Sequence, residues 1–408
     1  MLKNTDKDIF DLIEKERARE ESNIELIASE NFVSKSVLEA IGTVLTNKYA
    51  DGYPNARDYG GCEFIDEIET IAIERAKELF KVKYANVQPY SGTNANMAVF
   101  FALLNPNDTI LSMDVNQGGH ITHGDSTSYS KIYNHIHYHV TKDTFEIDYD
   151  EVEKLARVYR PKIIVTGASA YPYLIDYKRF KNIAKSVDAL LLVDMAHLAG
   201  IIAAGLIPSP VEYADVLTST THKTLRGPRG GLILTNNPEL AKKIDAGVFP
   251  GVQGGPLMHV IAGKAVSFKE ALSEKFVEYQ KQILTNTTHL FSELKNRGYV
   301  FTHPKTYIHL MIMDVYKSIG LDATTAEKTL EYVGLTVNKM PIPYDTNPNL
   351  SGLRIGLPAV TSRGFLKHEI EEIARIFDQA LRNYQNQEKL DNLKVEVRSL
   401  SRKFPLQK

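Results

Sequence analysis

The sequence predicts an α/β protein built on a large, mostly parallel sheet, with a second, smaller α+β domain toward the C-terminus. Chain length, an alternation of strands with helices and a late change of texture carry this expectation. With 408 residues the chain exceeds the size at which one hydrophobic core keeps growing. Short apolar runs TILSMD, KIIVTG, LLLVDMAH, ADVLTST and GLILTN are spaced by helical segments such as DYKRFKNIAKSV, the alternation of a parallel sheet covered by helices. Near Gly263 the pattern becomes one long helical stretch, AGKAVSFKEALSEKFVEYQKQILTNTTHLFSELKNRG, which reads as the connection between domains.

The remaining elements follow in chain order. Asp11 to Glu20 is a charged helix, and SNIELIASENF after it lacks helical periodicity and is expected to cross the surface of another element, so that this opening embraces a partner subunit. Asp66 to Lys81 is an amphipathic helix. SGTNANMAVFFALLNPND is a turn opening a helix near Ser91 that stops at Asn105 and Pro106. Beyond the long helix, YIHLMIMDV, a helix around Asp322 to Tyr332, GLTVNKM, LRIGLPA and a helix from Leu366 to Tyr384 make the compact second domain. The expected division is an N-terminal arm over 1–25, a large domain over 26–275 and a small domain over 276–408.

Composition excludes several classes of function. A net charge of -2 provides no basic field able to hold a nucleic acid backbone. Cys62 is the only cysteine, so no internal disulfide forms, and MLKNTDKDIFDLIEKERARE lacks the apolar core of a signal peptide. Apolar runs such as Ala189 to Val193 are far too short to cross a bilayer. A cytoplasmic protein is expected.

Chemistry-bearing residues gather at the ends of these predicted strands. In ADVLTSTTHKTLRGPRGG, Lys223 stands among threonines and a histidine directly after an apolar run and before a glycine-rich turn. A fixed, desolvated lysine with hydroxyl and amide donors nearby is what covalent attachment of pyridoxal phosphate requires. The alternative is an ordinary solvated lysine before a turn. LLLVDMAH ends its strand in Asp194, followed by His197, at the carboxyl end where open α/β sheets collect ligands. A buried carboxylate there needs a cationic partner, and a pyridinium nitrogen is one; a helix-capping aspartate is the alternative. Ser91, Gly92 and Thr93 open a helix whose free N–H groups form a cradle for a dianionic phosphate, or are simply its cap. GVFPGVQGG, ending in Gly255, is a second glycine-rich turn. In NQGGHITHG, His120 follows glycines that allow close backbone approach and offers a ring to stack on a cofactor; the role of His123 stays open. No Asp, Glu or Cys spacing here suits a metal, so neither a structural nor a catalytic metal is expected. Arg354, in the apolar strand GLRIGLPA, suits a bidentate carboxylate or an internal ion pair.

The motifs IELIASEN, NKYADGYP, YGGCE, QPYSGTNAN, GGHITHG, VDMAH, TTHKTLRGPRGG, FPGVQGGP and GLRIGLPA together resemble those of the serine hydroxymethyltransferases, within the fold type I pyridoxal phosphate enzymes. The resemblance spans nearly the whole chain. It implies that Lys223 carries the cofactor, Asp194 pairs with the pyridine nitrogen, His120 stacks on the ring and Arg354 clamps the substrate carboxylate. It gives Ser29, Ser169 and His197 supporting positions and Ser91, Gly92 and Thr93 the phosphate. It also implies a homodimer or dimer of dimers, in which Tyr49 and Gly255 are lent by a second subunit. Members of the family transfer the serine hydroxymethyl group to tetrahydrofolate, leaving glycine, and many cleave threonine-like amino acids without folate.

Three positions depart from the family pattern, all toward the folate. Asp51, in YADGYP, replaces a usual glutamate and shortens the reach of a proton-handling acid by one methylene. Asp58 stands where the first of two adjacent tyrosines packs against folate, while Tyr59 keeps the second. Met340 takes the place of an asparagine that hydrogen-bonds the pterin. The expected enzyme therefore makes and breaks the Cα–Cβ bond of β-hydroxy-α-amino acids as an aldolase or transaldolase, with Asp58 and Met340 lining an altered acceptor pocket and Arg57 a candidate to neutralise Asp58. A genuine tetrahydrofolate-dependent hydroxymethyltransferase is the alternative.

Overall fold

The computed structural model describes residues 1–124 and 131–406. Contacts divide the chain into one unit of Val33–Lys281 and a second that joins Met1–Phe32 to Gln282–Lys408. The division falls after 32 and 281 rather than after 25 and 275, and the opening residues belong to the C-terminal unit instead of standing apart as an arm.

The Val33–Lys281 unit is built on a seven-stranded sheet. Its order is Tyr84–Asn86, Gly231–Thr235, Val216–Thr220, Leu190–Asp194, Ile163–Thr166, Thr109–Met113 and Asn134–Tyr138. The last five pair in parallel, whereas Gly231–Thr235 runs antiparallel to both of its neighbours. Every predicted apolar run is one of these strands. They are continuously apolar because both faces are buried: on one, Ala95, Val99 and Phe100 of the helix Gly92–Leu103 pack with Ile110, Val165, Leu192, Val216 and Ile233, and on the other Leu111, Ile164, Leu191 and Leu217 are at most 1% exposed. Parallel pairing collects the carboxyl ends of the strands on one edge, which sets Asp194 opposite Thr218 in the adjacent strand.

The long helical pattern is two helices, Met258–Ala271 and Glu274–Asn296. Ser273 separates them. Its hydroxyl donates to the Glu270 carbonyl at 2.6 Å and accepts from the Phe276 N–H at 3.3 Å, so it closes one helix and caps the next.

The other unit carries a four-stranded antiparallel sheet ordered Val300–Phe301, Leu310–Asp314, Gly352–Gly356, Asn338–Met340. Helices Ala323–Val333, Lys367–Arg382 and Gln387–Arg402 belong to the same unit. SNIELIASENF does not cross a surface: Ile24, Leu26 and Ala28 are fully buried, and Ile24–Glu25 pairs in parallel with Leu335–Thr336. Alternation of apolar Ile24, Leu26 and Ala28 is the strand signal that a search for helical periodicity passes over. Among the described residues, no helix is long and apolar enough to cross a membrane.

Candidate active site

Asp194 is the electrostatic centre of the larger unit. Its Oδ2 accepts from His123 Nε2 and from Asn96 Nδ2, both at 2.9 Å, and its Oδ1 accepts from the Ala196 N–H at 3.0 Å. Burial by itself would raise its pKa. The hydrogen bond and charge of His123, the charge of His120 and the Asn96 hydrogen bond outweigh that burial and hold the carboxyl well below the usual carboxylate range. The buried group is thus an anion, with acceptor capacity left on Oδ1.

The supports of Asp194 are themselves fixed. Asn96 is fully buried on the helix that Ser91 caps, accepts from Thr218 Oγ1 at 2.6 Å and donates to Thr122 Oγ1 at 2.9 Å. Thr122 in turn meets His120 Nδ1 at 2.6 Å, while the Thr122 N–H donates to that same nitrogen at 3.2 Å. Both contacts tie the Nδ1 edge of the His120 ring to Thr122 and fix the orientation of the ring. The His120 and His123 rings lie 5.5 Å apart. His120, His123 and Asp194 offer ligand atoms within 4.8 Å of one another, and these hydrogen bonds account for that grouping. Gly118 and Gly167, both with positive φ, allow the approach of neighbouring loops: a Cβ on Gly167 would lie 2.0 Å from the Asp194 carbonyl, and the Gly118 carbonyl accepts from the Ser169 N–H at 2.9 Å.

Lys223 is buried, with 7% of its surface exposed, just past the end of the Val216–Thr220 strand. Its turn is held by Thr221 N–H to Gly230 O at 3.1 Å and Arg226 N–H to Lys223 O at 3.0 Å. Thr224 ties the turn to the segment bearing His197, donating to the His197 carbonyl at 2.9 Å and accepting from the Gly200 N–H at 3.0 Å. His222 is pushed down to about 3 by burial, with the positive charges of Arg229, Lys223 and Lys264 acting in the same direction. It is a neutral imidazole at physiological pH.

Ser91 caps the helix Gly92–Leu103 by accepting from the Asn94 N–H at 3.1 Å. A Cβ on Gly92 would come within 2.7 Å of Thr220 Cγ2, so glycine is what lets the helix start close on the strand end. Thr220 Oγ1 and His222 Nδ1 are buried with no hydrogen-bond partner. The buried orphan hydroxyl of Thr220, whose methyl group lies beside Gly92 at the helix N-terminus, fits a bound phosphate, and a buried carboxylate kept ionised fits a pyridinium. The residues present suit pyridoxal phosphate.

Tyr49, Asp51, Tyr59 and Gly255 form a second group in the same unit. A Cβ on Gly255 would lie 2.8 Å from Asp51 Oδ1 and 3.4 Å from Tyr49 Cε1, and the Tyr49 and Tyr59 rings are 5.0 Å apart. Tyr90 donates to the Gly255 carbonyl at 2.7 Å. Asp51 Oδ1 is buried without a hydrogen-bond partner. Arg57 does not neutralise Asp58. Its guanidinium is spent on Asp66 at 2.8 Å, Glu69 at 2.5 Å and the carbonyls of Ala50 and Gly52 at 3.0 and 2.8 Å, which fixes the backbone on either side of Asp51. Asp58 is exposed.

In the C-terminal unit, Arg354 donates through Nε to Asn338 Oδ1 at 3.0 Å and through Nη2 to Ser29 Oγ at 3.3 Å. Burial pushes its pKa down to about 10, which leaves it cationic at neutral pH. Strand register pairs Asn338 with Arg354 and Met340 with Gly352, so Met340 shares a face with Asn338. Asn338 was not evident as a partner of Arg354 from spacing, since only strand pairing brings the two together. The same holds for His123 and Asn96, whose bonds to Asp194 span 71 and 98 residues.

A parallel α/β sheet with an ionised aspartate at one strand end and a buried lysine just past the next defines a fold type I pyridoxal-phosphate-dependent enzyme. The family model described as serine hydroxymethyltransferase matches residues 2–377, and the chain belongs to that family. Membership supports a pyridoxal-phosphate-dependent transferase acting on serine and glycine.

Proposed function

We propose that this chain makes and breaks the Cα–Cβ bond of β-hydroxy-α-amino acids, releasing glycine and an aldehyde from serine or threonine, without requiring tetrahydrofolate. One contrast carries the reading. The Asp194, His123 and Asn96 group is intact and buried, whereas Asp58 is an exposed carboxylate whose adjacent Arg57 is committed elsewhere. When bound, the cofactor supplies an electron sink for the charge left on Cα. Lys223 would hold it, with Asp194 as the anion for its ring nitrogen, His120 as the ring partner, Ser169 and His197 in support, and Ser91, Gly92, Thr93 and Thr220 for its phosphate. Arg354 and Ser29 bind the substrate carboxylate. Asp51 accepts the β-hydroxyl proton, through a water where its shorter side chain falls short. A proton returned to Cα completes cleavage; capture of a second aldehyde at Cα instead makes a new β-hydroxy amino acid. No metal is part of this reading.

The same reading includes a cytoplasmic homodimer. Exposed Ile9, Leu12 and Ile13 on the N-terminal helix support a partner contact. Because Asp51 and Tyr49 both pack against Gly255, a second copy that lends Tyr49 and Gly255 brings Asp51 with them. Tetrahydrofolate-dependent hydroxymethyl transfer is the second reading, favoured by the retained Asp51 acid and by the Tyr49 and Tyr59 pair.

Purified enzyme incubated with serine or with threonine, each with and without tetrahydrofolate, tests the choice by quantifying glycine and aldehyde. Equal glycine formation in both arms supports the proposal. Serine turnover that appears only with tetrahydrofolate overturns it in favour of the second reading.

A further inference from the structure

A fully buried lysine outside the group described above grips the backbone that leads into the helix cap at Ser91. Lys264, on the helix Met258–Ala271, is 1% exposed, and its Nζ donates to the carbonyls of Val87 at 2.6 Å, Gly231 at 2.8 Å and Pro89 at 3.0 Å. Three carbonyl acceptors require three N–H donors, which an ammonium has and a neutral amine lacks. The Gly231 N–H also donates to the Pro89 carbonyl at 2.9 Å, and a Cβ on Gly230 would come within 2.4 Å of Lys264 Cε. Gln253 completes the grip, donating to the Gln88 carbonyl at 3.1 Å and accepting from the Tyr90 N–H at 3.0 Å. The backbone from Val87 to Tyr90 is thus tied down by two long-range side chains up to the residue before Ser91.

An isolated buried ammonium is costly, and a leucine or methionine would fill the same space more cheaply. What the charge secures here is the position of a strap. We propose that Lys264 is a positioning residue for the phosphate cradle: its ammonium fixes the Val87–Tyr90 backbone so that the Ser91, Gly92 and Thr93 groups meet a bound phosphate without rearranging. The inference rests on the pyridoxal phosphate reading and adds to it a residue that never touches the cofactor. Burial lowers the Lys264 pKa to about 7 while Glu69 opposes that shift, and the three carbonyls favour the charged form over the neutral one.

The test compares two ligands that differ only in the phosphate. Full-length chain stripped of cofactor is titrated with pyridoxal phosphate and with pyridoxal, following absorbance, for wild type, Lys264→Met and Lys264→Gln. Lys264→Met is expected to weaken pyridoxal phosphate about 10- to 100-fold, the range of a lost charged hydrogen bond, while pyridoxal affinity stays within about twofold. A role in folding alone would change both ligands together or neither, and either of those results overturns the proposal. If Lys264→Met does not fold, Lys264→Gln, which keeps two donors without the charge, is judged by the same ratio. Failure of the wild type to bind pyridoxal phosphate would instead overturn the cofactor reading itself.

Discussion

The floor around Asp194 and the positions that depart from the family pattern differ in almost every physical respect. Asp194, His123, Asn96 and Lys223 are buried or nearly so, and the carboxylate is held by side chains and backbone that are themselves held. Asp58 is exposed, Asp51 has a buried oxygen without a partner, and Met340 sits half-buried at the end of a short strand. A change in the first region leaves a buried charge or donor unpaired, a cost of several kcal/mol for a charge. A change in the second alters what is bound and leaves the fold alone. The comparison teaches that electron-sink chemistry and co-substrate choice are built from separable materials in this chain.

Breaking the floor gives the largest effects. Lys223→Ala is expected to lower glycine formation from threonine by at least about 10³-fold, and borohydride reduction followed by peptide mass analysis should mark Lys223 in the wild type with no mark in the variant. Asp194→Asn keeps the shape and removes the charge, so turnover should fall by about 10²- to 10³-fold with the folded chain retained, as read by circular dichroism. Changing the other region should sharpen the contrast. The double variant Asp58→Tyr with Met340→Asn restores an aromatic face and an amide, and is expected to raise the response of serine turnover to tetrahydrofolate about tenfold while folate-free threonine cleavage changes little.

The smallest effect is on stability against acid. His222 titrates near 6.5 when unfolded and about 3 when folded, so between those values the unfolded chain binds more protons and stability falls as pH falls. His303, pushed down to about 4 by burial, acts in the same direction. His222→Asn should therefore flatten the slope of denaturant stability against pH by up to about one proton across that window and leave it unchanged above pH 7. An unchanged slope would mean that the imidazole is not kept neutral by its surroundings.

Much of this could be read from residue order. Apolar runs marked the inner strands, Asp194 fell at a strand end, Ser91 at a helix start, and Arg354 stood out as a charge inside an apolar strand. What could not be read depends on contacts between residues far apart in the chain. The partners of Asp194, the commitment of Arg57 to Asp66 and Glu69, and the three carbonyls on Lys264 are all set by how strands and helices pack. Two misreadings had local causes. Ser273 breaks a helix that keeps good apolar spacing on both sides of it, and IELIA alternates with a strand's period inside a segment tested for a helix.

The central claim is that activation of Cα belongs to the buried floor and needs no folate. The exchange of glycine's Cα hydrogen with deuterated solvent, followed by nuclear magnetic resonance with and without tetrahydrofolate, tests it most directly. The account predicts exchange at nearly the same rate in both samples. Exchange that is slow alone and accelerates by orders of magnitude when tetrahydrofolate is added would contradict it.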